Sequence, residues 1–390
     1  MAGYAARVGG SEGLLDELTA SCLALEANGE RFLLIALDLI GVDPSMVDEL
    51  AARLDMPPAS IAISASHTHS GPAGVLKRLH PAEEERVDAR LRSEVMRAAE
   101  RAARTALETR VDVAVTFSRA AVEGVAANRN VPDGPFDSRV SAIRVRTPAG
   151  DPVATVVHFA CHPTILPASS RMISAEFPGA MRRYLPASEF GAVLFANGAA
   201  GDVSTRFTRC AQDVIEVERV GRAIANAVRG DSAMIPLAPS ITSRRFDATI
   251  RLRDRSDVDG AGDLALRATK ALERDDLPPA QRRIEETRLQ GAEILQRMAE
   301  RFDAMPDRIP VSVWTLGELT LVGFPGELFA SLGMELTQVR EPALVFGYTN
   351  GYFGYFPDRA AYESGTYEAL ASPFAPGASE EVIASLRERI

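Results

Sequence analysis

The chain has 390 residues, 46% of them hydrophobic and 25% charged, which supports a sizeable buried core and excludes an intrinsically disordered protein. Its net charge of −10 leaves no basic field to attract a phosphate backbone or an anionic membrane surface, so nucleic acid is not an expected partner. The two lysines, Lys77 and Lys270, lie outside any motif for Schiff-base or phosphate-loop chemistry.

Two apolar runs, 21–25 and 32–39, flank Asn28-Gly29 and predict a β-hairpin. Residues 61–65 read as a short buried strand ending abruptly in polar residues. A long helix is expected next, opened by Pro81, with Glu83, Glu84 and Glu85 near its positive end and an apolar stripe of Val87, Leu91, Val95 and Ala99. Segments 111–117, 141–145, 153–159 and 192–195 look like further strands, with helices over 178–185 and 213–228. Residues 241–251 look extended. The turn at 254–260 lacks the ligands of a calcium loop, because Gly260 at the sixth position would put Arg255 first and Leu266 twelfth. Residues 263–304 have helical spacing broken at Pro278-Pro279, as in two helices packed as an outer hairpin. Strands at 311–315 and 319–322, a helix over 327–340, a tyrosine-rich segment from 348 to 367 and a helix over 379–389 complete the chain. The alternation, with no shift in composition, predicts one α/β domain over 1–390, a mixed β-sheet core flanked by helices.

Four of the five histidines form two clusters, His67 with His69 and His158 with His162, while His80 stands alone. Scattered core histidines would not cluster, so both pairs are candidate metal or acid/base positions. Cys22, Cys161 and Cys210 are odd in number and widely spaced, which argues against a disulfide scaffold or a thiolate zinc site. There is no apolar run of 18 residues and no apolar stretch at the start, so stable membrane insertion and secretion are not expected and the cytoplasm is the expected location.

His67 and His69 follow the 61–65 strand at i and i+2, where an extended backbone would point both rings to one side; polar residues satisfied in a loop are the alternative. His162 ends the 153–159 strand, and strand tips converge on one edge of an α/β sheet, so the two clusters can meet. His158, inside the apolar run, reads as a hydrogen-bonded core histidine. The glycine-punctuated loop 196–204 offers the Ser204 hydroxyl and backbone N–H groups, or is an ordinary tight connection. Pro325-Gly326-Glu327 places an acid at a helix start, where a capping role would also explain it. The string Gly9-Gly10-Ser11-Glu12-Gly13 lacks the preceding core strand that a nucleophile elbow needs.

Five motifs occur in order: H-T-H-S-G-P at 67–72, G-D-V-S at 201–204, P-G-E at 325–327, N-x-Y-x-x-Y at 350–355 and Y-E at 367–368. Together they resemble the catalytic domain of neutral ceramidase, from near Gly3 to about Glu368. The resemblance implies a zinc amidase in sphingolipid metabolism, with one Zn2+ per chain held by His67, His162, Glu327 and Tyr355. It further implies that His69 and Arg129 contact the reacting amide, that Tyr367 stabilises the oxyanion and that Ser204 is the active-site serine. Ser204 is either a nucleophile or an orienting group; hydrolysis by metal-activated water is the preferred route. Of the nearby aromatics Tyr348, Tyr352, Phe353, Phe356 and Tyr362, most are expected to pack.

Family members carry a secretion signal and a C-terminal immunoglobulin-like domain, and neither is expected here. After G-D-V-S the family usually has Pro-Asn, whereas this chain has Thr205-Arg206. The expected partner is a small-molecule N-acyl amide; that cation argues against a purely lipidic one, and a smaller, acidic N-acyl or cyclic amide is the alternative to ceramide. The rivals are a metal-dependent esterase or phosphoesterase, drawing on Asp38, Asp202 and Glu176 as extra acids, and a non-catalytic metal-containing binding protein. The sequence sets no oligomeric state.

Overall fold

Asn28 and Gly29 both take positive φ, +47° and +80°, and join Ala20–Ala27 to Glu30–Leu37 as the expected hairpin. Ile61–Ala65 adds to this pair in parallel, forming a three-stranded sheet. The computed structural model describes residues 1–390 except 5, 78–86, 231–232, 259 and 300–304. A second sheet runs in the order Ala192–Asn197, Pro152–Phe159, Arg139–Arg146, Ala114–Ala121 and Ile235–Pro236, its first pair parallel and the rest antiparallel. A third runs Ile241–Thr249, Arg308–Leu316, Leu319–Gly323 and Ala343–Phe346, with the last pair parallel. The mixed-sheet α/β class is as expected.

Apolar residues alternate between two cores because the sheets are covered on both faces. Phe32, Leu34 and Ala36 meet Ile143, Val156, Leu194, Trp314 and Leu321 of the other two sheets in a shared inner core. Leu33, Ile35 and Leu37, on the opposite face of the same strand, pack with Met46, Val47 and Leu50 of the helix Pro44–Leu54 and Met96 and Ala99 of Ala89–Glu108. The outer face of the third sheet is covered by Ala330–Thr337 and Ala378–Arg387, through Leu332, Leu336, Val382 and Ile383. Ala261–Leu272 and Pro279–Ala299 pack together as the expected helical hairpin. Among the described residues no helix is long and apolar enough to cross a membrane.

Two expected elements are corrected. The long helix starts at Ala89, where the Asp88 carboxylate accepts from the Leu91 N–H at 3.0 Å; this cap sets the start, and Val87 is exposed ahead of it. Pro81, Glu83, Glu84, Glu85 and His80 lie outside the described residues. The helix expected over 327–340 is Ala330–Thr337, because Glu327–Leu328 instead pairs in parallel with Tyr355–Phe356. Glu327 therefore sits on a short strand that ends just before the helix.

Two buried polar side chains pin the layers together. Asn350 lies against the free edge of Ile61–Ala65: its amide donates to Ile61 O (2.8 Å) and Ser312 Oγ (3.2 Å) and accepts from Ile63 N (2.7 Å). His158, within Pro152–Phe159, donates from Nε2 to Val345 O at 2.8 Å and stacks on Phe346, the core role expected of it. Burial lowers its pKa to about 4. Removing the Asn350 amide leaves buried main-chain groups unpaired at about 1–3 kcal/mol each, so Asn350→Ala should lower unfolding stability by about 3 kcal/mol in urea titrations. His158 titrates near 6.5 when unfolded and near 4 when folded, so between these values the unfolded chain binds more protons and stability falls as pH drops. Relative to His158→Asn, the wild type should lose up to about 3 kcal/mol between roughly pH 7 and pH 4, read from urea midpoints at each pH.

Candidate metal centre

The tips of neighbouring strands are drawn together by one amide. Asn197, at the end of Ala192–Asn197, donates from Nδ2 to Ser66 O and Cys161 O, both at 3.1 Å, and accepts from Cys161 N at 3.2 Å. Ser66 precedes His67 and Cys161 precedes His162, so the two histidine clusters meet at this edge, as the strand order predicts. His67 takes a left-handed backbone, φ +66°, with its N–H donating to Leu39 O. The expectation of an extended His67–His69 segment is thereby corrected: the turn at His67 brings the two rings edge to face, 4.9 Å between centroids.

Main-chain carbonyls set the tautomers of the two deepest rings. His67 Nδ1 donates to Ile40 O at 2.6 Å and His162 Nδ1 to Val203 O at 3.1 Å, which leaves the Nε2 lone pairs facing inward. Both face Glu327 Oε2, His162 at 2.9 Å and His67 at 3.4 Å. His69 Nε2 lies 3.3 Å from His67 Nε2, and the three histidines place their ligating nitrogens within 4.8 Å of one another. His67 and His162 are buried, and His69 is partly exposed. Burial would raise the Glu327 carboxyl, but where the rings also carry a proton on Nε2, the charge of His67 and the hydrogen bonds from both rings outweigh burial and hold the group well below the usual carboxylate range. Burial, and next the charges that His67 and His162 carry when protonated, hold His69 well below an ordinary imidazole. Two lone pairs and a carboxylate directed at one point, each ring anchored through its other nitrogen, make a donor set that fits a divalent cation of the zinc type.

A second network adjoins the first. Arg129 is buried, with Nε donating to Glu368 Oε1 (2.8 Å) and Nη2 to Gly201 O (2.8 Å) and to the Tyr355 hydroxyl (3.2 Å). Asn130 Nδ2 donates to the other Glu368 oxygen at 2.9 Å. Burial, then the charge of Glu327, pushes the Tyr355 phenol well above its ordinary pKa, with Arg129 opposing. Tyr367 opens the helix Tyr367–Ala371 with its ring 5.9 Å from that of Tyr355. Ser204 is buried beside His162 through a parallel backbone bridge, and its Oγ accepts from Arg206 N at 3.2 Å. The glycines of two motifs have a steric reason: a Cβ on Gly201 would lie 2.4 Å from Glu327 O, and one on Gly326 would lie 2.5 Å from Phe356 Cε2.

The structure thus gathers His67, His69, His162 and Glu327 into one cluster, with Arg129, Tyr355, Tyr367 and Ser204 around it. Four residues were missed or read as packing. Tyr352 donates its hydroxyl to Glu327 Oε1, Tyr348 stacks on His67 at 4.0 Å, Asn197 ties the loops, and Glu368 holds Arg129. Tyr352 and Glu368 stand inside the quoted motifs, which was the available signal. The three spare acids are engaged elsewhere: Asp38 with Thr19 and Arg182, Asp202 with Asn128 and the Ala330 N–H, and Glu176 with the Leu166 N–H. Burial raises Asp202 to about 7 and Glu176 to about 8.

No protein-family model and no curated protein matches the chain. Solved structures do. Neutral ceramidase from Pseudomonas aeruginosa matches with a TM-score of 0.68 and 16% identity, over 93% of this chain and 67% of that one. A ceramidase complexed with C2 matches with a TM-score of 0.70 and 16% identity, over 100% of this chain and 74% of that one. On that likeness, the chain has a neutral ceramidase-like fold.

Proposed function

We propose that this chain is a zinc-dependent hydrolase of carboxamides that cleaves an N-acyl bond. The observation that carries the reading is the convergence of the His67 and His162 lone pairs on the Glu327 carboxylate, with a fixed guanidinium and two phenols alongside. The likeness in fold to ceramidases supports it. His67, His162, Glu327 and Tyr355 would hold the ion. When bound, a zinc ion supplies Lewis-acid polarisation of a carbonyl, acidification of a water and the positive charge that favours Tyr355 as phenolate.

The protein's own groups do the rest. Glu368 and Gly201 O fix the Arg129 guanidinium, so its charge is in place before a substrate arrives and strengthens hydrogen bonds to the developing oxyanion. Tyr367 donates its hydroxyl to that oxyanion, at about 3 kcal/mol for one well-placed donor. His69, the partly exposed ring, is unprotonated at rest, takes the proton released by the attacking water and passes it to the leaving amine nitrogen. Ser204 orients water and substrate. His162, bridged to Ser204 through the backbone, has Nδ1 on Val203 O and Nε2 facing Glu327, so both its ring nitrogens are engaged elsewhere than at Ser204.

Zinc quantification on protein reconstituted with excess ion and then desalted should give about one equivalent per chain, and His162→Ala should lose it. Chelation should abolish hydrolysis of an N-acyl amide while far-UV circular dichroism stays native; unfolding on chelation would point to a structural ion instead. Tyr367→Phe should lower kcat about 10²-fold, and Ser204→Ala should keep more than a few per cent of it; trapping of an acyl-enzyme would overturn the orienting role of Ser204.

A further inference from the structure

Two loops framing Ser204 bring a guanidinium next to the catalytic network. Arg206 follows Ser204 closely: its N–H donates to Ser204 Oγ at 3.2 Å, and its Nη1 donates to Arg129 O at 3.1 Å. The side chain is partly exposed, whereas that of Arg129 is buried and reaches inward to Tyr355. The same two loops carry Val131, 56% exposed, and Phe207, 55% exposed, so the rim beside Ser204 is both cationic and apolar. Arg7 adds a second cation on the side of His69, donating from Nη1 to His69 O at 2.6 Å, and its Nη2 is buried with no hydrogen-bond partner. Three buried acids of the site are engaged, Glu368 by Arg129 and Asn130, Glu327 by the histidines and Tyr352, and Asp202 by Asn128 and the Ala330 N–H.

We propose that the substrate is an N-acylated amine whose amine portion bears an anion, carboxylate or phosphate, seated on Arg206, as in an N-acyl amino acid. This rests on the amidase reading and names the substrate class for that site. A planar guanidinium matches either anion with paired hydrogen bonds, and the apolar rim suits the remainder of an amphiphile. The chemistry is balanced by water alone: the carbonyl carbon gains the water oxygen, the C–N bond breaks, and the products are a carboxylic acid and an amine that takes the proton. Arg206 acts as a specificity residue and takes no part in bond cleavage.

The test uses the full chain loaded with zinc and three probes sharing a hexanoyl group: N-hexanoylglycine, N-hexanoyl phosphoethanolamine and the neutral N-hexanoylethanolamine. In the wild type at least one anionic probe should exceed the neutral one about tenfold in kcat/KM, as charge-assisted hydrogen bonds allow, and the two anionic arms tell carboxylate from phosphate. That ratio should fall towards one in Arg206→Gln, be partly kept in Arg206→Lys, and narrow in the wild type as salt rises from roughly 50 to 500 mM. Equal kcat/KM for neutral and anionic probes, or an unchanged ratio in Arg206→Gln, would overturn the anion seat and leave the amidase reading standing. Failure to cleave any of the three would count against the amidase reading. Calorimetry then decides the seat: tighter binding of an anionic probe that depends on Arg206 supports it, and equal binding of all three overturns it.

Discussion

Two imidazole lone pairs facing a buried carboxylate form an arrangement that a protein interior does not hold without a reason. The Nε2 atoms of His67 and His162 come to 3.4 Å and 2.9 Å from Glu327 Oε2, and the Ile40 and Val203 carbonyls oblige each ring to keep its proton on the far nitrogen. Bare, the acceptors oppose one another at close range and low dielectric; with a cation between them the same geometry is favourable. Most of the surrounding structure serves this contact. Asn197 ties the two histidine loops, the short pairing of Glu327–Leu328 with Tyr355–Phe356 delivers the acid and a phenol side by side, and Gly201 lets the G-D-V-S loop lie against the Glu327 backbone.

Next to the acceptor cluster stands its electrostatic complement. A buried guanidinium without a partner is untenable, and Arg129 has Glu368, with Asn130 completing the carboxylate. Breaking such a pair by removing one partner costs about 3–5 kcal/mol, because it strands the other charge. A group this firmly held need not reorganise during a reaction, which suits a site where charge develops on one oxygen.

Local signals in the sequence identified the local parts of this site. Asn-Gly marks the hairpin, the small apolar run marks Ile61–Ala65, and His162 lies just beyond its strand while His158 lies within it, facing Val345. Where the reading failed, the deciding contact joins distant segments. Glu327 looks like a helix start until Tyr355–Phe356 pairs beside it, and the long helix begins at Ala89 where the Asp88 carboxylate caps it. Choosing Tyr352 as the hydroxyl that reaches Glu327, out of a run of aromatics, requires knowing how the loop after Ala343–Phe346 turns. The ordered motifs pointed to the right neighbourhood; hydrogen-bond partners assigned the parts within it.

Asn197 has a further consequence for how the protein is made. One side-chain amide, bonded to the main chain on both histidine loops, orders the ligand scaffold through contacts that involve no ion. In small zinc domains the ion organises the chain, so acquiring metal and reaching the native state are one event. Here the Asn197 bridge and the large inner core are built without any ion. On the proposed zinc reading, loading is then a question of metal supply and access to a folded chain rather than of biogenesis.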